Sequence, residues 1–312
     1  ATGPKRRLPV PGFRSFAKLA LAHGPLMGAI SAASLGALGT FEPQHLATTL
    51  WSWATLLLVD RPLSHAVSAE AGRRVAEFSP RCVANTVWAL AKLSLRDDPL
   101  CMALSAQAQG MLDRFSPQDL WNTAWAMAAL PWRDLPLMDA IAASVLDSIA
   151  EFPTWGLSNT AWAFSKLEVR PQALMEAIAS ASMGMLPASG GQELANTAWS
   201  LAMWAFLHEP LLDGIARVSV ERSGDLGPQN IANTLWAYAK LGFASGPLVA
   251  ALASEAPAKM SRFLPQELAC TAWALARCAS RHAPLLEALS AASLACLGQF
   301  SPQNLAITSW SL

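Results

Sequence analysis

The sequence predicts an all-α protein, a right-handed α-solenoid (superhelix) built from two-helix repeats with a period of 37 residues. Three observations support this prediction. A tryptophan recurs at a constant interval, proline marks helix starts at constant offsets, and no stretch alternates polar and apolar residues as a half-buried strand does. A helical hairpin of this length cannot bury both of its faces alone, so neighbouring repeats must stack to complete a core.

The interval holds along almost the whole chain. Threonine lies two residues before each recurring tryptophan, and leucine lies twelve residues after it wherever the chain reaches that far. The tryptophans are Trp51, Trp88, Trp125, Trp162, Trp199, Trp236, Trp273 and Trp310. One period earlier, Arg14 and Leu26 mark a degenerate first copy. We therefore expect about eight repeats over residues 14–312, ending partway through a repeat, after a flexible basic segment at residues 1–13.

Each repeat contains start signals for two helices. In the first helix, Ser79 and Ser116 are suited to cap the amino terminus, with Pro80 and Pro117 at the first helical position. A short break follows, and a second proline then starts an Ala-, Leu- and Ser-rich second helix. Acidic residues such as Asp134 fall in the break, where they commonly cap helices or are solvated.

Composition excludes some classes of protein. Among 312 residues, 53% are hydrophobic, but the apolar runs are broken by Asn, Thr and Ser and are too short to span a bilayer. We expect a soluble protein without membrane insertion. The 22 basic and 22 acidic side chains cancel, so any nucleic-acid role requires a local basic surface.

The motif "LANTAWSLAMW", from Leu194, places two polar residues inside an apolar helix. At about 100° per residue, the threonine falls in the apolar arc, where its hydroxyl is expected to bond back to a carbonyl one turn earlier. The asparagine falls on the opposite side, together with a glutamine four residues before it and a Lys or Arg seven residues after it. We call this polar face the first-helix stripe.

In the stripe, each kind of side chain recurs at the same position in most repeats. Its asparagines are Asn85, Asn122, Asn159, Asn196 and Asn233. Its cations are Lys92, Lys166, Lys240 and Arg277, with Lys18 in the degenerate copy. Two interpretations remain open. The asparagines form a ladder that hydrogen-bonds neighbouring backbones, or they form a track on which amides contact base edges while the cations hold phosphates.

The position six residues before the tryptophan lies beside the stripe and varies between repeats. Its polar members include Asp119, Glu193, Asn230, Glu267 and Asn304. One variable polar residue per repeat suits base-by-base reading of a single strand, and these five are candidate base-edge contacts. The alternative is an exposed position that drifts. For the tryptophans themselves we expect ring packing between consecutive first helices, with base stacking as the alternative.

No pattern indicates catalysis. The five histidines are scattered without metal-ligand spacing, and no Gly-rich loop precedes a basic helix start. We therefore expect a protein that is not an enzyme and that holds no cofactor or metal.

The unit F-S-P-Q-x-L-A-N-T-x-W-A-L-A-K-L, a composite of Phe78–Leu93 and Phe115–Leu130, resembles the octotricopeptide repeat. The resemblance covers nearly the whole chain. It implies sequence-guided binding of single-stranded organellar RNA, in a mitochondrion or chloroplast, for RNA processing, stabilisation or translation. It also implies an RNA-facing first helix and possible protein partners in an RNA-processing or ribosomal assembly.

Two functional classes remain at the level of sequence. One is an RNA-binding solenoid, favoured by the resemblance and by the spacing of about one cation per repeat. The other is a protein-interaction scaffold of the armadillo or HEAT type, with a peptide or helix in its groove. Zero net charge, and the acids Asp119, Glu193 and Glu267 beside the stripe, favour the scaffold.

Overall fold

The computed structural model describes residues 24–243, 245–280 and 282–311, and within these ranges it contains sixteen α-helices and no strand. The predicted all-α fold is confirmed: helix pairs repeat every 37 residues and stack on adjacent pairs as an α-solenoid. The right-handed twist stays a prediction. The expected basic segment at residues 1–13, and Lys18, lie outside the described residues.

The chain divides into two compact units, residues 1–148 and 149–312. The described helices of the first unit are α1 (Gly24–Ala37), α2 (Pro43–Thr55), α3 (Arg61–Arg73), α4 (Pro80–Lys92), α5 (Asp98–Gln109), α6 (Pro117–Ala129) and α7 (Leu135–Ser148). Those of the second are α8 (Thr154–Lys166), α9 (Gln172–Met185), α10 (Gly191–Trp204), α11 (Glu209–Glu221), α12 (Pro228–Leu241), α13 (Gly246–Lys259), α14 (Pro265–Arg277), α15 (Ala283–Cys296) and α16 (Pro302–Ser311). From α2 onward, even numbers are first helices and odd numbers are second helices.

Inside each unit, first helices pack against first helices and second helices against second helices. First helices contact the next first helix, α2 on α4 and α4 on α6 in the first unit, and α8 through α16 in the same manner in the second. Second helices do the same, from α1 to α7 and from α9 to α15. First helices therefore form one layer of each unit and second helices the other.

The amino termini of the first helices form as the sequence predicts. Proline occupies the first position of α4 and α6, and the hydroxyl oxygens of Ser79 and Ser116 each accept a hydrogen bond from the backbone N–H three residues on, at 3.3 Å. Side-chain oxygens at this position satisfy amide groups that have no partner inside the helix.

The second helices are capped by a different column. The side chains of Asp97 and Asp134 accept hydrogen bonds from the backbone N–H of Leu100 and Leu137, both at 3.1 Å. In the second unit the Nδ1 atom of His208 does the same for Leu211, at 3.2 Å. The acids in the breaks are therefore helix caps.

The threonine column lies in the core, as predicted. Thr86, Thr123 and Thr160 are fully buried. The hydroxyls of Thr123 and Thr160 donate to the carbonyls of Asp119 and Gly156, at 2.7 and 2.8 Å. The carbonyl one turn earlier thus supplies the partner that a buried hydroxyl needs at these two positions, whereas the hydroxyl of Thr86 has no partner among the described residues.

The first helices end in a left-handed turn six residues after the tryptophan. At Ala205, φ is 53° and ψ is 34°; its N–H bonds to Ala202 at 3.2 Å, and the N–H of Phe206 bonds to Leu201 at 2.9 Å. This is the Schellman pattern of hydrogen bonds. Glycine fills the position only at Gly242, among the described residues. Positive φ without glycine also occurs in this column at Leu57, Ser94, Glu168 and Ala279.

Replacing Ala205 with glycine is therefore expected to stabilise the protein. The left-handed conformation costs an L-residue roughly 1–2 kcal/mol, and the extra freedom of glycine in the unfolded chain offsets part of the gain, leaving about 0.5–1 kcal/mol. Urea unfolding measures the change. Ala143→Gly, at an exposed position inside α7, is the matched control and should lower stability by about 1 kcal/mol. Equal losses in both variants would contradict the interpretation.

Candidate functional site

The five asparagines of the first-helix stripe are half-buried at equivalent positions on five first helices. Within the described residues, none of their side-chain amides hydrogen-bonds to the protein. The interpretation of a ladder bonded to neighbouring backbones is therefore wrong. Each amide has two N–H donors and one carbonyl acceptor, and these remain available to solvent or to a ligand.

The cations of the stripe are also without counter-charges. Lys92, Lys166, Lys240 and Arg277 are exposed, and none of them forms an ion pair with a described carboxylate. Some cations on the second-helix layer are paired, Arg73 with Glu70 and Arg217 with Glu221. The positive charge of these four stripe residues is therefore available to attract an anion.

The tryptophan column forms a row of contacting rings, which confirms the packing prediction. Ring centroids are 6.3 Å apart for Trp51 and Trp88 in the first unit, and 6.4 Å for Trp199 and Trp236 in the second. The other measured neighbours in each unit lie between 6.2 and 6.4 Å. These spacings lie within the range of direct aromatic contact. The rings therefore join consecutive first helices and form one wall of the stripe.

The cations lie against this row. The Nζ atom of Lys240 is 4.6 Å from the centroid of the Trp236 ring, and the guanidinium of Arg277 is 5.9 Å from that of Trp273. Such contacts hold a cation beside the ring face without neutralising it. Burial holds the pKa of Lys240 below its usual value, and the positive charge of Arg170 lowers that pKa further.

The variable column differs from the expectation of an exposed position. Asp119 is only 3% exposed, and its carboxylate accepts a hydrogen bond from the backbone N–H of Ser116 at 3.2 Å. Asn230 and Glu267 bond in the same way to the N–H groups of Gly227 and Leu264, at 3.1 and 2.8 Å. These residues occupy the third helical position. Asp119 closes a capping box with Ser116, whereas Asn230 and Glu267 make only the bond back to the N-cap N–H, because Gly227 and Leu264 have no side-chain acceptor.

The capping bonds change two expectations about the variable column: its exposure to solvent, and how strongly its acids repel an anion. The expectation of exposure was wrong for Asp119 and for Cys82, which stands at the same position six residues before Trp88 and is 6% exposed. The carboxylates of Asp119 and Glu267 are engaged by backbone N–H groups, so they oppose an anion on the stripe less than their sequence positions suggest. Base contacts by Asp119, Glu193, Asn230, Glu267 and Asn304 stay a prediction. The spacing Ser116-x-x-Asp119 is the sequence signal of the capping box.

Sequence reasoning missed one residue, Arg81. It stands where most repeats have a stripe glutamine, seven residues before the tryptophan. Its Nε atom lies 2.9 Å from Oδ1 of Asp119, so the ion pair joins α4 to α6. The sequence of this column could have revealed Arg81, because an arginine stands there in place of a glutamine. The glutamines at the equivalent positions are all exposed. They are Gln44, Gln118, Gln192, Gln229, Gln266 and Gln303.

Two grooves open along the amino-terminal ends of the first helices. One, of about 450 Å³, lies in the first unit and is lined by Gln44, Thr48, Trp51, Arg81, Asn85 and Gln118, among others. The other, of about 440 Å³, lies in the second unit, and its lining includes Gln192, Gln229, Asn230 and Arg262. Both are lined by amides and a guanidinium, which suit a polar ligand, and the second is also lined by the carboxylate of Glu267.

A model of one protein family matches this chain. The model is described as RNA-editing substrate-binding complex 6 protein, and it matches residues 10–170, more than half of the chain. The chain belongs to this family. No curated protein matches the sequence.

The match to the RNA-editing substrate-binding complex 6 family includes the whole described part of the first unit and continues through α8. It therefore contains Lys92, Lys166, Asn85 and the groove around Arg81. By its description the family belongs to a complex that binds substrates of RNA editing. The remaining repeats continue the same 37-residue pattern beyond the matched region.

Two further findings concern chemistry and membranes. Within the ranges that the structure describes, no three or more His, Cys, Asp or Glu side chains are placed to hold a metal ion. No described helix has both the length and the apolar character needed to cross a bilayer. The expectation that the protein is not an enzyme stays a prediction.

If the variable column is structural, removing the Asp119 side chain should destabilise the fold. Asp119→Ala removes a capping bond and the partner of Arg81, and is expected to cost about 1–2 kcal/mol in urea unfolding. Gln118→Ala, at the exposed neighbouring position, is the control and should stay within about 0.5 kcal/mol of the parent protein. If Asp119→Ala leaves the free energy of unfolding unchanged, the variable column is instead a surface position without a structural role.

Proposed function

We propose that this protein binds single-stranded RNA along the first-helix stripe, as a non-catalytic component of an RNA-editing or related RNA-processing assembly. The observation that carries the proposal is that, in each unit, the first helices present asparagine amides without hydrogen-bond partners and cations without counter-charges among the described residues. The family description, which refers to a complex that binds RNA-editing substrates, supports the same class of ligand.

The charge distribution is compatible with this role despite a net charge of zero. Phosphate contacts need local positive charge rather than a basic protein as a whole. The stripe has unpaired cations at Lys92, Lys166, Lys240 and Arg277, while cations such as Arg73 and Arg217 are paired elsewhere. Free amides beside these cations can then contact base edges while the cations hold the backbone.

The octotricopeptide resemblance supports the finer parts of the proposal. It favours reading of bases by the asparagine and variable columns of successive first helices, and a location in a mitochondrion or chloroplast. It also favours protein partners in an RNA-processing or ribosomal assembly. In this proposal the chain supplies RNA binding, and any chemistry on the RNA belongs to partner proteins.

The central test is RNA affinity measured against salt by fluorescence anisotropy. Each phosphate contact on a single strand contributes about 0.7 to the slope of log affinity against log salt. The combined change Lys92→Ala, Lys166→Ala and Lys240→Ala should therefore weaken binding and reduce the slope by about two.

The control removes three positive charges from the second-helix layer instead. Arg61→Ala, Arg73→Ala and Arg217→Ala together should leave the affinity and the slope close to those of the parent protein. An equal loss in both triple variants would show attraction by total charge rather than by the stripe. Binding that is absent or insensitive to salt would favour a protein-interaction scaffold.

Binding should also depend on pH through Lys240. Because the folded pKa of Lys240 is lowered, this lysine loses its proton at a lower pH than an ordinary lysine does. RNA affinity should therefore fall as the pH rises through that lowered value, since a neutral amine no longer attracts phosphate. Lys240→Arg should remove this part of the dependence, because arginine stays charged. The same alkaline loss in Lys240→Arg would assign the effect to another group.

A further inference from the structure

We infer that the groove around Arg81 is a base-specific subsite of the first unit that prefers guanine. The inference rests on the proposed function, since it concerns one position on the same RNA-binding stripe. Arg81 is the only arginine or lysine among the residues seven before the recurring tryptophans. The stripe therefore differs from its repeat pattern at this groove.

Arg81 is oriented by a buried acid. Its side chain is 55% exposed, whereas that of Asp119 is 5% exposed, and the two meet at 2.9 Å through Nε and Oδ1. The other carboxylate oxygen, Oδ2, accepts from the Ser116 hydroxyl at 2.6 Å, so the carboxylate is fixed to the start of α6. Within the described residues, the two terminal nitrogens of Arg81 have no partner.

The buried carboxylate is not fully satisfied. Oδ1 of Asp119 contacts Arg81 as an ion pair, but no described N–H points at it in hydrogen-bond geometry. The pair thus aligns the guanidinium electrostatically and leaves its outer edge for a ligand. That outer edge presents N–H donors in a planar fork, which suits two neighbouring acceptors.

Charge favours a base over a phosphate at this place. Asp119 offsets the positive charge of Arg81, so the pair attracts a dianion or monoanion less than a free cation does. The other polar lining groups, Gln44, Asn85, Gln118 and Thr48, are neutral donors and acceptors. A groove of about 450 Å³ with such a lining suits a flat, uncharged, hydrogen-bonding ligand.

Guanine fits the fork best among the bases. Its O6 and N7 atoms are adjacent acceptors, and arginine donates to both in the commonest base-specific contact. Adenine places a donor beside N7, which opposes one N–H of the fork. Trp51 also lines the groove and is half-buried, so it offers part of an aromatic surface to the base.

The test compares oligouridines that differ at one nucleotide, by anisotropy with the intact chain. A single guanosine should tighten binding about tenfold relative to oligouridine, as a bidentate base contact does. Replacing that guanosine with 7-deazaguanosine should remove most of the gain, because the N7 acceptor is lost. This comparison needs no variant, so it is independent of folding.

Variants then assign the effect to Arg81. Arg81→Gln places here the residue that most repeats carry and removes the guanidinium fork, so the guanine preference should disappear. Arg217→Gln, the control on α11, should keep the preference. Equal affinity for the guanosine and 7-deazaguanosine strands, or a preference that survives in Arg81→Gln, overturns the subsite alone. Failure to bind any of these strands overturns the proposed function and the subsite with it.

Discussion

The structure depends on burial between consecutive first helices. A 37-residue hairpin has too little apolar surface to form a core alone, so each first helix must bury its inner arc against the next one. Leu46, Leu120 and Leu157, five residues before the tryptophan, are at most 1% exposed, and the threonines lie beside this leucine column. Because this packing repeats without insertion, each position outside the core recurs at an equivalent place within a unit. The columns of the stripe are a consequence of that packing.

Periodicity made much of this predictable, and its failures have a physical cause. A helical wheel correctly separated Thr123, which is buried, from Asn122, which is not. It failed at Asp119, because a wheel describes directions in the interior of a helix. At the third position the amide groups of the first turn lack helical partners, and an acidic side chain folds back to bond them. The Arg81–Asp119 contact joins two repeats, so no single-repeat pattern contained it.

Net charge was the weakest guide to function, because it counts cations that are bonded within the protein together with cations that are available to a ligand. Arg222 donates to the carbonyls of Ser189 and Pro187, at 2.9 and 2.7 Å, and thereby joins the end of α11 to the turn that precedes α10. Lys259 similarly reaches the carbonyl of Leu226 at 2.8 Å. Such cations are engaged by carbonyl oxygens, whereas those of the stripe, among the described residues, contact only tryptophan rings and, for Lys240, the sulfur of Met203, and they keep their charge available. The distinction between structural and available charge requires coordinates, and it is what favours RNA over a neutral scaffold.

A strictly uniform stripe would bind a strand without fixing its register, since moving the strand by one repeat would restore every contact. Departures from uniformity therefore matter more for recognition than the repeated residues do. The cation column is interrupted at Thr55, Ala129 and Met203, and the glutamine column at Arg81 and Trp155. Free amides and cations supply affinity that many sequences share. A guanidinium aligned by a buried carboxylate makes one position unlike its neighbours, and such a position can set where a strand begins to be read.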